Sequence, residues 1–518
     1  MRVSSNGHGA RSLWSLGLGL ALAAVLMAGG AAAARGEAAG ETEVDALETL
    51  VDLDVGETAE LELSDGTPVT LTLLAIDDER DSTPQNAVRR ATATVEVNGE
   101  RVTIESGKYH LPVEAGGVQI DSPVTAAYSN AHRNVWNLQK DARLRLWPAG
   151  SPWAQPGSFA FPVRQRLFST DTHAGNVPVF VDGGERPTRR DIYYHEGFDF
   201  GGYEGKTEVF AATDGVVVSI RGETLDPEAH PPVRLTRYDV LYLRDDRGWY
   251  YRYSHMKSFE TRLQLGERVG MGEKIGDMGK EGGSGGWTHL HFDISMPLPS
   301  GEYGVVCAYA YLFEAYRRQY DPDVVAVARP HHVAYVGETV TLDARRSWAR
   351  DGIAAYAWTL SDGTAHDTPT AQTRYDAAGS YSEILEVTDA SGNVAYDFAV
   401  VQVLDRNDDA RLPPTIHAAH HPTFGIQAGD PVYFTVRCFR LEKSEGEEVW
   451  DFGDGSEPAR TNSNPAGIPG SSIHDPQGYA QTVHRFDEPG DHIVTVQRTN
   501  DDGQTATARL HVHVQPRQ

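Results

Sequence analysis

The chain has 518 residues, with 46 Lys+Arg against 73 Asp+Glu and a formal net charge of −27. That length corresponds to about three to four domains, and a hydrophobic content of 40% builds cores, which excludes full-length disorder and fibrous repeats. The negative balance argues against nucleic-acid binding and against bulk-charge attachment to an anionic polymer or membrane. The two cysteines, Cys307 and Cys438, exclude a disulfide scaffold and a Cys-rich zinc site, so any metal site must use His and carboxylates.

Residues 1–34 read as a secretory signal peptide. Arg2 and Arg11 supply the positive end, Leu13 to Ala28 a short apolar core, and Ala31 to Ala34 small residues for cleavage. No later apolar run is long enough to span a bilayer. The mature chain is therefore expected to be exported, with no transmembrane segment left after cleavage.

Residues 41–147 carry hairpin patterns. Ala59, Leu61 and Leu63 alternate before a turn at Asp65-Gly66, and Val69, Leu71 and Leu73 follow. Ala93, Val95 and Val97 repeat the pattern, with Asn98-Gly99 before Val102 and Ile104. This predicts a small N-terminal β domain, in the role of a lid, an inhibitory segment or a binding module. A Pro/Gly-rich linker at 147–162 leads into residues 161–320, where short strands alternate with Gly-rich turns. The helix predicted there spans Val305 to Arg318.

Two units of similar design follow, 323–404 and 413–518, joined by a linker from Arg406 to Pro414. Trp358 leads into Asp362-Gly363, and Trp450-Asp451-Phe452-Gly453 leads into Asp454-Gly455. Each is followed by a turn and an alternating strand, as in a β-sandwich. These runs resemble those of polycystic-kidney-disease-type (PKD) domains, the second more fully than the first. The expected class is thus all-β: an antiparallel β-sheet core over 161–320, an N-terminal β domain and two C-terminal immunoglobulin-like β-sandwiches. Asp362 and Asp454 read as turn residues rather than Ca²⁺ ligands.

With 20 histidines in the chain, one His-x-His pair is expected by chance. His511-Val512-His513 reads as such a pair, on the solvated face of a sandwich strand. His289-Leu290-His291 differs. It follows Gly282-Gly283-Ser284-Gly285-Gly286, and Leu290 and Phe292 alternate toward a core, so both imidazoles project from the other face. Upstream stand His195-Glu196-Gly197-Phe198-Asp199 and, between the two motifs, Tyr253-Ser254-His255. Two His and one Asp make a ligand set with an open position for water, and two further His remain for proton transfer. His173, His230, His331-His332 and His420-His421 lie outside this pattern and read as surface residues.

The three motifs, in this order, resemble the lysostaphin-type (LytM-type) zinc endopeptidases over residues 161–296. Val209 to Val217 and Leu265 to Gly276 match the family's filler as well. The departures are Trp287-Thr288 before His289, an insertion at Glu223 to Thr236 and an extension beyond Pro297. The resemblance implies one Zn²⁺ per chain on His195, Asp199 and His291. It implies His289 as general base and His255 as the group that stabilises the oxyanion. The function it implies is exported hydrolysis of amide bonds in the peptide cross-links of peptidoglycan. The alternatives are an exported protease acting on proteins and a non-catalytic wall-binding or activator protein. Neither the oligomeric state nor the scissile bond is legible here.

Overall fold

A computed structural model describes residues 46–517 except 83–87, 132–133, 171–178, 181–191, 194, 227, 231, 234–235, 409–411, 442–445 and 467–471. The expected signal peptide and His173 lie outside the described residues. The molecule is almost wholly antiparallel β-sheet. No helix among the described residues is long and apolar enough to cross a membrane.

Both N-terminal hairpins form. Thr58–Glu62 pairs with Pro68–Arg80, setting Leu61 opposite Val69. Val88–Val97 pairs with Glu100–Glu105 through Asn98 and Gly99, both at positive φ as a tight two-residue hairpin turn requires. These strands form one sheet, and Thr49–Leu53, Ala142–Pro148, Val118–Thr125 and Val113–Ala115 form a second. Leu71 and Val95 from the first meet Ile120 and Leu144 from the second in a single core. A short helix, Ala126–Ala131, not foreseen from the sequence, follows Val118–Thr125.

The central unit is built on an eight-stranded sheet. Its nine-residue strand His289–Pro297 lies between Phe198–Gly201 and Tyr250–Ser254 and is buried along nearly its whole length. Phe198, Phe200, Leu290 and Phe292 enter the core from one face of these strands. A three-stranded sheet of Glu208–Phe210, Lys274–Met278 and Met256–Phe259 accompanies it.

The predicted helix is displaced. Val305 and Val306 belong to a strand, Tyr303–Val306, paired with Ile294 to Pro297, and the helix is Tyr309–Tyr320. Two adjacent β-branched residues next to a long buried strand pair with it rather than continue the helical pattern. The helix ends at Asp321, whose left-handed backbone lets its N–H bond back to Arg317 O.

The two C-terminal units share a nine-stranded sheet, joined where Gly379–Asp389 runs parallel to Thr505–Val514 at Ser380 and Ala506. Trp358 and Trp450 are fully buried, one in each core. Asp362 and Asp454 accept backbone N–H groups from two residues on, as turn residues. Two surface assignments are corrected. His511 is 3% exposed, because its N–H pairs with Ser169 O and Asp491 takes its Nε2. His420 is also buried, against Phe434. His513 is exposed, as expected, and both cysteines are buried free thiols.

Buried ion pairs tie the units together. Arg145 holds Asp121 through two nitrogens at 2.9 and 2.5 Å and donates to Cys307 O at 3.0 Å, joining the N-terminal unit to the segment before the helix. Arg329 spans Asp397 and Thr170 O in the same way. Removing one partner leaves the other charged and buried. Arg145→Ala should therefore lower stability by about 3–5 kcal/mol, and Arg145→Met with Asp121→Leu should recover most of it. Urea unfolding followed by circular dichroism checks both, and equal stability of Arg145→Ala and wild type would refute the account.

Candidate metal centre

The site is assembled on three neighbouring strands. In the antiparallel pair of Phe198–Gly201 and His289–Pro297, Asp199 stands opposite His291 and Gly201 opposite His289. On the other side Ser254 is opposite His291, and the chain breaks at His255, whose φ of +69° turns it out of the strand. His195 enters from the segment just before Phe198. All five sequence-predicted residues come together, each 4–6% exposed.

His195, Asp199 and His291 form the one cluster among the described residues able to hold a metal ion. His291 Nδ1 lies 3.1 Å from His195 Nε2 and 3.0 Å from Asp199 Oδ1, and His195 Nε2 lies 3.5 Å from Asp199 Oδ2. Zinc bonds of ~2.0–2.1 Å at tetrahedral angles put neighbouring ligand atoms about 3.3 Å apart, so the triangle has the right size. The surrounding hydrogen bonds fix the tautomers. His195 Nδ1–H donates to Gly197 O at 3.1 Å, and His291 Nε2–H to Asp293 Oδ2 at 3.0 Å. Both inward nitrogens are then lone pairs facing a carboxylate, an arrangement that needs a positive charge between them.

Without a metal, a proton answers that need. Burial and Arg252 lower the proton affinity of His291, yet its hydrogen bonds to Asp199 and Asp293 raise it above the ordinary value. Burial works to raise the carboxyl of Asp199, but His195, His289 and His291 hold it well below the usual range. Burial pushes His195 down to about 4.

His289 Nδ1–H donates to Trp287 O at 3.1 Å, leaving the Nε2 lone pair 3.8 Å from Asp199 Oδ1. The Trp287 indole stacks on the imidazole at 3.8 Å and 13°. The His255 ring lies 4.5 Å from that of His289, and its Nδ1–H donates to Glu281 O at 2.8 Å. Asp239 Oδ2 is 3.4 Å from the same nitrogen and is itself held by Arg237.

Several contributors were not foreseen. Asp293 continues the alternation of His289 and His291 on one strand face, so the pattern His-x-His-x-Asp carried a signal for it. Arg252, which reaches Asp293 at 3.3 Å, shares a strand with Ser254 but has no sequence signature. Lys108 comes from the N-terminal unit and donates to His195 O at 2.7 Å. Burial lowers its pKa to about 8. The glycine of His-x-Gly-x-Asp has a steric reason. A Cβ at Gly197 would lie 2.4 Å from His291 Cε1 and 2.6 Å from Nε2.

Comparison with known proteins agrees with this geometry. Residues 193–300 match the model of Peptidase family M23, and residues 321–403 and 417–514 each match a PKD domain. The chain thus carries a peptidase domain of metallopeptidase type. More particularly, it is a LytM-type M23 peptidase domain followed by two PKD domains. Among solved structures, Helicobacter pylori Csd3 is 12% identical, with 51% of this chain and 82% of that one covered and a TM-score of 0.20. The fibronectin(III)-like modules of Clostridium thermocellum CbhA are 13% identical, with 37% and 94% covered and a TM-score of 0.14. Neither likeness is close enough to bear on fold or function.

Gly197→Ala should displace the His291 ring and at least halve the bound metal while the β-sheet circular dichroism signal is kept. Elemental analysis beside the spectrum checks this, and full metal content in the variant would contradict the role given to Gly197.

Proposed function

We propose that the protein is an exported zinc endopeptidase that hydrolyses amide bonds in the peptide cross-links of peptidoglycan. The observation that carries the chemistry is the convergence of three lone-pair atoms beside an unprotonated imidazole nitrogen of His289. The donor set suits zinc: two imidazoles and one carboxylate, with two further histidines outside the triangle. Bound there, zinc supplies Lewis acidity, lowering the pKa of a coordinated water from ~15.7 to about 7.

The chain's own residues supply the rest. His195, Asp199 and His291 hold the metal, and Asp293 and Gly197 O orient the two imidazoles. His289 takes a proton at Nε2, since its Nδ1–H is committed to Trp287 O. That proton can then pass to the leaving amine. His255 in its protonated form donates from Nε2 to the developing oxyanion, with Asp239 balancing the charge at Nδ1. The wall substrate is supported by the resemblance to lysostaphin-type enzymes. Export is supported by the signal-like residues 1–34. The two PKD domains fit the role of spacers or surface-binding modules that raise local concentration.

The purified chain should hold about one zinc, and His195→Ala, Asp199→Ala or His291→Ala should lose most of it. His289→Ala and His255→Ala should keep the zinc and lose on the order of 10²–10⁴-fold in turnover. Elemental analysis and mass spectrometry of fragments released from purified peptidoglycan check these points. Full zinc in the three ligand variants would overturn the ligand set. Cleavage of proteins alone, with peptidoglycan untouched, would overturn the substrate.

A further inference from the structure

The segment that leads into His289 is held by the second PKD domain. Arg437, fully buried in the strand Val432–Phe439, makes four hydrogen bonds to main-chain carbonyls. Three acceptors lie in its own unit: Asn464 O at 3.2 Å, Ile473 O at 2.7 Å and Ser472 O at 2.8 Å. The fourth is Gly286 O, 2.7 Å away in the peptidase domain. The contact is close enough to dictate the residue on the other side. A Cβ at Gly286 would lie 2.7 Å from Ile473 O, and that glycine stands at a φ of +85°.

Two residues further on, Thr288 N–H donates to Tyr479 Oη at 2.7 Å, and the Tyr479 hydroxyl donates to Nδ1 of buried His417 at 2.7 Å. The same peptide unit carries the Trp287 carbonyl, which accepts the Nδ1–H of His289. A peptide unit is planar, so a grip on its N–H sets the direction of its C=O. A hydrogen bond at the N–H also polarises the carbonyl into a better acceptor.

We propose that Tyr479 and Arg437 are positioning residues of the peptidase site. They fix the 286–288 backbone, and through the Trp287–Thr288 peptide plane they hold His289 in the tautomer and direction its reaction needs. The second PKD domain is then part of the catalytic apparatus as well as an appendage to it. This rests on the peptidase reading above and adds to it residues about 150 to 190 positions away in the chain.

The test uses the full-length, zinc-loaded chain and three variants. Tyr479→Phe removes only the hydroxyl, and Arg437→Lys keeps the charge but not the fork that reaches several carbonyls. Trp450→Phe is the control, because it deletes a bond to Thr461 Oγ1 within the same domain that does not reach the peptidase. Tyr479→Phe should retain zinc and KM, lower kcat roughly 10- to 100-fold, and speed amide hydrogen exchange of peptide 282–290 at least about 10-fold. Arg437→Lys should shift both readouts in the same direction, and Trp450→Phe neither. Hydrogen exchange needs no substrate. Faster exchange in Tyr479→Phe, together with a wild-type chain that cleaves nothing, would support the grip and reject the peptidase reading. Exchange equal to wild type in Tyr479→Phe, or an unchanged kcat in an active enzyme, would overturn the proposal, as would a Trp450→Phe variant that lost as much.

Discussion

Two imidazole nitrogens and a carboxylate oxygen face one another across 3.0–3.5 Å in the central sheet, and nothing in an antiparallel ladder favours such crowding of acceptors. Their repulsion must be answered by a cation or a proton, and the surrounding structure is arranged to keep them there regardless. The pairing register sets Asp199 against His291. A slip of one residue would turn His291 into the core and Phe292 out of it. Gly197 leaves room for the ring, Asp293 and Gly197 O take the outward N–H groups, and Lys108 holds the His195 main chain.

The same alternation that builds the site also stabilises it. Phe198, Phe200, Leu290 and Phe292 are fully or almost fully buried on the opposite faces of the strands that carry the polar groups. Burying such side chains supplies about 1.5–3 kcal/mol each. That apolar stabilisation offsets the cost of holding five histidine and aspartate side chains largely out of water. A consequence is that His289 stays neutral: burial depresses its proton affinity, leaving its Nε2 lone pair available for proton transfer.

The units contribute to one another more than a string of separate domains would. The N-terminal unit supplies Lys108 to His195, and the loop before His289 packs on Arg437 and Tyr479 of the last unit. The two sandwiches share a sheet, and His511 is covered by Ser169 of the segment leading into the peptidase. A residue that looks solvent-facing by strand periodicity is buried when another unit covers that face. The misplaced surface assignment of His511 has this cause, whereas His420 shares the inward face of its own sandwich strand with Ile416 and Ala418, opposite Phe434.

From the amino-acid sequence alone came the all-β class, both N-terminal hairpins, the two C-terminal sandwich units and the five polar residues of the site. Each of these depends on short-range rules: period-two alternation, turn residues that tolerate positive φ, and motifs a few residues long. The helix start was misjudged because Val305 and Val306 suit both a helix stripe and a strand, and only a partner strand decides between them. Asp293 was within reach of the same alternation. Lys108, Asp239, Arg252, Arg437, His417 and Tyr479 were not, because their contacts to the site are made by chain segments that approach it only after folding. Tertiary structure alone decided that these nitrogens meet: Gly197 O, Trp287 O and Asp293 orient three of the imidazoles from only two residues away, but His195, Asp199 and His291 converge only once their strands pair, and a hydrogen bond acts over about 3 Å of space whatever the separation in sequence.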